Sequence, residues 1–406
     1  MKERIGVIGG GPAGIIAAGI AGSKDKSVTL IEKNERLGKK LFITGKGRCN
    51  ITNASPIEDF FDNVITNRNF MYSSFYSFTN KDILNLLEKY GLKTKVERGN
   101  RVFPLSDKSS DVIKALEKFL STHNVDVMLN TKVLDINYAN NKFIVITSEN
   151  KMYFDKILIA TGGKSYPSTG STGDGYKFAE KFGHEIKTLR PSLVPIEINE
   201  EWTRILQGLS LKNVTLTAFV RDRKVHEEFG EMVFTHYGIS GPIVLSMSNH
   251  LHQYTNKKIK LFVDLKPALS IEKLDDRLLR DFQIYNNRQI KNGLNDLLLQ
   301  KLIPVIINLA RIDSEKPINQ ITREERGNLV NIIKGLPMTF KNFRSIEEAI
   351  ITSGGISAKE INPSTMESKL QQRLFFAGEI IDVDALTGGY NLQIAYSTGY
   401  LAGMNM

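Results

Sequence analysis

Short apolar runs, glycine turns and alternating segments follow one another along this chain. It opens with an apolar run at 5–8, a glycine-rich turn, an alanine-rich segment at 15–21 and a second apolar run at 28–31 that ends in Glu32. Short continuous apolar runs bounded by turn residues read as buried strands, and the alanine-rich segment between them reads as a helix. The pattern of strand then glycine recurs at 157–160, before Thr161, Gly162 and Gly163, and at 374–377, before Gly378 and Glu379. Gly388 and Gly389 then open a helix expected over 391–403.

The middle of the chain has a different rhythm. Val214, Leu216, Ala218 and Val220 alternate with other residues, as do Ile259, Leu261, Val263 and Leu265. A period of two predicts strands with one buried face. From 271 to 335 the pattern turns helical. Residues 322–325, "TREE", form a capping box ahead of Leu329, Ile332 and Ile333, and Gly335 and Pro337 stop that helix. "RSIEEAIITSGGIS" returns to strand. No internal repeat or low-complexity segment is visible.

Composition narrows the picture. A chain of 406 residues calls for two or three domains. At 41% hydrophobic and 24% charged it has the composition of a soluble globular protein. The single cysteine excludes an internal disulfide, a dithiol relay and a cysteine-built zinc site, and it fits a reducing compartment. The N-terminal "MKER" followed by 18 uncharged residues imitates a signal peptide, but seven glycines and Pro12 make that stretch a poor apolar helix. No other run approaches a membrane span, so the expectation is a cytoplasmic protein. The formal charge of +10 and pI near 9.3 raise nucleic acid as a partner. The cations are spread among acids with no dense run, which favours a solvated basic surface and a small-molecule substrate instead.

The first thirty-two residues carry the sharpest chemistry. Strand, glycine turn, helix, strand and acid occur in that order, with Glu32 placed 23 residues after Gly9. Gly9 permits a tight turn, Gly11 lets a pyrophosphate approach the helix N-terminus, and Gly14 lets helix and strand pack closely. Glu32 suits a ribose diol, and an acid there disfavours a 2′-phosphate. The dinucleotide is FAD or NAD. Three glycine-bearing strand ends, drawn from the start, middle and end of the chain, favour FAD, because an extended ligand needs that many contacts. No second complete glycine fingerprint is present, so a separate NAD(P)H domain is not expected.

The runs "VIGGGPAG", "GKGRCNITN", "RVFPLSDK", "ATGG", "FTHYGISGP" and "EIIDVDALTGGYNLQIAYSTGYLAG" resemble the BaiN-like, HI-type flavoproteins, which include the aminoacetone oxidase family. The likeness spans residues 5–403. Many members carry Gly where Lys46 stands. The resemblance implies an α/β fold: a Rossmann-like FAD domain of the glutathione-reductase type, an inserted β-rich, barrel-like domain and a small helical domain. Laid on this sequence, these are 1–190 with 363–406, 191–270 with 338–362, and 271–337.

The resemblance also implies where FAD would be held. The first turn supplies Gly9, Gly11, Pro12, Ala13 and Gly14, and the second strand supplies Glu32 and Lys33. The following loop supplies Lys39, Leu41, Thr44, Gly45, Gly47, Arg48, Cys49, Asn50 and Thr52, with Arg48 facing the pyrophosphate or ring system and Asn50, Thr52 and Asn53 at the ring edge. Val133, Thr161, Gly162 and Gly163 come from the middle of the chain. Gly378, Glu379, Asp382, Gly388, Gly389, Tyr390, Asn391 and Gln393 come from its end. Cys49 reads as a small buried residue. His236 is a candidate proton donor in a turn, and His250 and His252, lacking a third ligand, read as surface. The implied activity is an FAD-dependent oxidoreductase. Its donor is NADH, NADPH or a small amine, and its acceptor is a conjugated C=C or O₂. The alternatives are a flavoprotein acting on RNA bases and a non-catalytic flavin-binding protein.

Overall fold

The computed structural model describes residues 2–406. It divides into two compact units, Met1–Ser192 with Ile346–Met406, and Leu193–Ser345. The first unit begins with β1 (Arg4–Ile8), α1 (Pro12–Gly22), β2 (Ser27–Ile31), β3 (Asp126–Met128) and β4 (Lys156–Ile159). The second holds β5 (Ile196–Ile198), β6 (Ser210–Val220), β7 (Arg223–Phe234), β8 (Gly238–Ser240), α2 (Pro242–Leu251), β9 (Ile259–Asp264) and β10 (Leu336–Phe343). The chain returns to the first unit with β11 (Leu374–Phe376) and α3 (Tyr390–Asn405).

In the first unit the five strands form one sheet in the order β11-β4-β1-β2-β3, and every pairing is parallel. Ile8 pairs with Ile159, and Ile159 with Phe376, so three strand ends stand in one row at one edge of the sheet. Parallel strands covered on both faces bury nearly every side chain, and Ile5, Val7, Leu158, Ile159 and Phe376 are fully buried. A three-stranded antiparallel sheet, Val133–Ala139, Lys142–Thr147 and Lys151–Phe154, follows β3.

The glycine-rich N-terminal stretch is explained by packing. α1 is buried around most of its circumference because α3 lies along it. A Cβ on Gly399 would fall 2.4 Å from the Ala13 carbonyl oxygen, and one on Gly403 would fall 2.6 Å from that of Ala17. The two helices therefore touch backbone to backbone. Among the described residues no helix is long and apolar enough to cross a membrane.

In the second unit a closed six-stranded barrel runs β5-β8-β7-β6-β9-β10, with β5 pairing β10 to complete the ring. The alternating residues Val214, Leu216, Ala218 and Val220 all face inward. The capping box lies where the sequence puts it: Thr322 Oγ1 accepts from the Glu325 N–H, and the Glu325 carboxylate accepts from the Thr322 N–H.

This is the expected α/β Rossmann architecture with a barrel and helices inserted. Two boundaries differ from the sequence reading. The segment 338–362 does not act as one piece: β10 closes the barrel, whereas Ile351–Ile356 pairs antiparallel with Ile186–Ser192 in the first unit. Helices Ile271–Ile284, Ile303–Leu309 and Arg323–Lys334 share one unit with the barrel instead of forming a separate domain.

Candidate functional site

The sheet edge where β1, β4 and β11 end gathers the glycine segments. Gly9 follows β1 with φ +109°, a left-handed value that favours glycine. A Cβ there would meet the Ala160 carbonyl oxygen at 2.4 Å. Gly14, in the first turn of α1, sits against the Gly9 carbonyl, where a Cβ would come within 2.0 Å of the oxygen. Gly11 differs from both. Its backbone is extended, and no atom lies within 4 Å of where its Cβ would stand. Two glycines are thus required by the protein's own backbone, while the third faces open space at the start of α1. Pro12 holds the first helical position, and no side chain caps the N-terminus.

Glu32 ends β2 with its carboxylate turned to this turn. Oε2 accepts from the Gly10 N–H at 2.7 Å, and Oε1 accepts from the Asn34 N–H at 2.8 Å. Oε1 also accepts from Asn34 Nδ2 at 2.7 Å, so the further acceptor capacity lies on Oε2. The neighbouring cations are engaged elsewhere: Lys33 with Asp174 at 2.8 Å and Lys39 with Glu35 at 3.2 Å. Leu41 and Val133 are buried core residues.

The loop "TGKGRCN" winds left-handed. Gly45, Lys46 and Gly47 have φ of +58°, +58° and +82°, and Cys49 has +60°. Lys46 therefore occupies a conformation that costs an L-residue about 1–2 kcal/mol. That is why glycine is the easier residue there. The Thr44 hydroxyl donates to the Leu41 carbonyl, and its own carbonyl accepts from the Cys49 N–H. Gly47, like Gly11, faces open space.

Arg48 is held by its own neighbours. It lies over the Phe103 ring, 4.1 Å from the centroid, and pairs with Glu97 and with Asp107. Two carboxylates and an aromatic face hold the guanidinium in place. Cys49 is fully buried, and burial pushes its thiol up to about 12.

The loop and the C-terminal segment lock together. Thr52 Oγ1 donates to Gln393 Oε1 at 2.8 Å, and Gln393 Nε2 donates to the Phe78 carbonyl. Asn53 Nδ2 donates to the carbonyls of Gly99 and Gly388. Thr52 and Asn53 thus join distant chain segments. A Cβ on Gly389 would meet the Thr52 carbonyl carbon at 2.4 Å. Asn391 exchanges hydrogen bonds with both backbone groups of Ala385, and Tyr390 packs edge-on to Phe60. Gly389 caps α3 without any side-chain bond. This sixteen-residue helix starts, with free N–H groups, beside Thr52 of the loop, and its middle, at Gly399, lies against Ala13 at the start of α1.

After β11, the Gly378 N–H donates to Thr398 Oγ1, and Glu379 is held by Lys40 at 2.6 Å, Ser165 at 2.8 Å and the Thr352 N–H at 2.9 Å. Lys40, Ser165 and Thr352 were not identified from the sequence, because their partner lies hundreds of positions away or in a different element. Asp382 accepts from Asn67, and burial raises its carboxyl above the usual range. Gly162 and Gly163 follow β4, and Gly163 is pressed against Thr352 and Glu379.

Asn50 Oδ1 and Thr161 Oγ1 are buried here without a hydrogen-bond partner, as are the hydroxyls of Tyr176 and Tyr396. A buried unsatisfied polar group costs about 1–3 kcal/mol. Together with two uncapped helix N-termini, an acid at the end of β2 and the open space at Gly11 and Gly47, they suit a polar, anionic, extended ligand. His236 belongs to the other unit. It is exposed in the 235–238 turn between β7 and β8, against Tyr237. His250, read as surface, instead stacks on His226 beside Glu228.

Residues 3–405 match the family described as HI0933-like protein Rossmann domain. The chain belongs to that family. Among curated relatives, this HI0933-like chain is 30% identical to the 3-dehydro-bile acid delta(4,6)-reductase of Clostridium scindens, over 99% of this chain and 98% of that one. It is 29% identical to the ribosomal RNA dihydrouridine synthase of Haemophilus influenzae, over 98% and 97%. Among solved structures, the 3-ketosteroid-Δ4-(5α)-dehydrogenase of Rhodococcus jostii RHA1 shares the fold, with TM-score 0.53 at 12% identity over 99% of this chain and 96% of that one. The Rossmann unit is of the type found in FAD-dependent oxidoreductases.

Proposed function

We propose that this protein is an FAD-dependent oxidoreductase that adds two hydrogens across a carbon–carbon double bond conjugated to a carbonyl. One observation carries the cofactor assignment. Gly11 opens onto empty space at the uncapped N-terminus of α1, in the turn whose Gly10 N–H is held by Glu32. When bound, FAD supplies a hydride carrier. The protein's own groups do the rest. The α1 N-terminus faces the pyrophosphate, and Glu32 accepts from the ribose diol. The α3 N-terminus stabilises negative charge at the ring system. Asn50 and Thr161 gain the partners they lack.

The two relatives' names support the reaction class. A delta(4,6)-reductase of a 3-oxo steroid acid and a dihydrouridine synthase both saturate a C=C conjugated to a carbonyl. The electron donor proposed here is NADH or NADPH entering the substrate site directly. A second reading, an RNA uracil as substrate, is favoured by the formal charge of +10 together with the name of the Haemophilus relative. A small amine donor with O₂ as acceptor has no such support.

The test is anaerobic. NADH or NADPH should bleach the flavin absorbance, and a 3-oxo-Δ4 steroid or protein-free ribosomal RNA should restore it. Restoration by the steroid alone assigns the first substrate class, and restoration by RNA alone assigns the second. A flavin that no nicotinamide bleaches, or that only O₂ reoxidises, contradicts the proposal.

A further inference from the structure

His226 and Glu228 stand two residues apart on β7, so both project to one face of the strand. Their register partners on β6 are Ala218 and Leu216, both fully buried, which makes this the inward face. α2 covers the same face. A Cβ on Gly230, the next residue in that row, would touch Ile243 of α2 at 2.8 Å. His250 lies seven residues after Ile243, two helical turns along, and so falls on the covering side of α2. The imidazoles of His226 and His250 stack at 3.6 Å between centroids with 19° between planes, and His226 Nε2 lies 2.8 Å from Glu228 Oε1.

We propose that His226, Glu228 and His250 form a binding site for a divalent transition ion of the zinc class, clamping α2 to β7. One ligand atom from each residue lies within 4.8 Å of the other two. A tetrahedral ion with bonds of about 2.0–2.1 Å needs its ligand atoms about 3.3 Å apart, so modest side-chain rotations close the set. Two neutral imidazoles and one carboxylate suit zinc, cobalt or nickel, and disfavour calcium or magnesium, which take oxygen ligands. The side chains of His226 and Glu228 keep 25% and 24% of their exposure, which leaves an entry path and a fourth position for water. Nothing in the proposed flavin chemistry uses these residues.

The test uses the purified flavoprotein, stripped with a chelator and then titrated with zinc chloride. The proposal expects one zinc per chain retained through gel filtration, and a melting temperature several degrees higher. Glu228→Gln, which keeps the side-chain shape, and His250→Ala should each weaken zinc binding by about 100-fold, with flavin content and metal-free melting temperature showing that they are folded. His236→Ala, at an exposed turn, should bind as the wild type does. No retained zinc in the wild type, or equal binding by wild type and Glu228→Gln, overturns the site. So does the loss of binding in His236→Ala.

Discussion

Gly11→Val and Gly14→Ala should separate a glycine kept for a ligand from one kept for the fold. At Gly11 the backbone is extended, with φ −83° and ψ −178°, and an added Cβ meets no atom beyond its chain neighbours within 4 Å. Valine is a poorer helix cap than glycine by about 1 kcal/mol or less, and it regains roughly 0.4–1 kcal/mol by restricting the unfolded chain. The apo variant should therefore melt within a few degrees of wild type. At Gly14 the added methyl would stand 2.0 Å from the Gly9 carbonyl oxygen. That is backbone against backbone, so no rotamer relieves it, and destabilisation by about 3 kcal/mol or more follows. The binding order is different. Valine at 11 takes the place of the pyrophosphate, so FAD affinity should fall at least about 100-fold, or about 2.7 kcal/mol. Thermal melts of the apo proteins and FAD titrations followed by flavin fluorescence measure both effects. Wild-type FAD affinity in Gly11→Val would refute the assigned path of the pyrophosphate. An unchanged melting temperature in Gly14→Ala would refute the packing account.

Other outcomes follow from the site. Cys49→Ser should retain most flavin reduction, because a buried thiol held near 12 is neither nucleophile nor electron store; a loss of about 100-fold with FAD still bound would overturn that. Asp382 has a raised folded value from burial, so the folded state holds its proton more tightly than the unfolded state does. Its penalty is absent below the ordinary carboxylate range and grows as pH rises through the raised value, so Asp382→Asn should raise the melting temperature at pH 7 and change it little at pH 4. A gain only at acid pH would contradict this sign. Deleting 363–406 removes β11 and the helix lying along α1, and FAD binding should vanish with them; a truncated protein that still purifies yellow would contradict the assignment.

The local parts of this fold are legible in the sequence. The run from Ile5 to Glu32 carries its turn, helix start and acid within one supersecondary unit, and "TREE" folds into the capping box its spacing predicts. What the sequence hides is long-range. Ile351–Ile356 reads as a strand, but nothing local says that it pairs with Ile186–Ser192 and not with the barrel. Lys40 is an unpaired cation until Glu379 arrives from 339 positions away. Arg48 looks free for a pyrophosphate until the Glu97 and Asp107 carboxylates close on it. His250 lacks a third ligand until β7 brings Glu228 beside His226. Lys46 and Cys49 are local cases: a loop built on glycines imposes left-handed backbone on two residues that pay strain for it.

The central claim is that this chain holds FAD, and identifying the released chromophore tests it most directly. The purified protein should be yellow, and denaturation should release FAD at about one equivalent per chain, as judged by chromatography against FAD and FMN standards. Release of FMN, or no flavin even after reconstitution with excess FAD, would contradict the account.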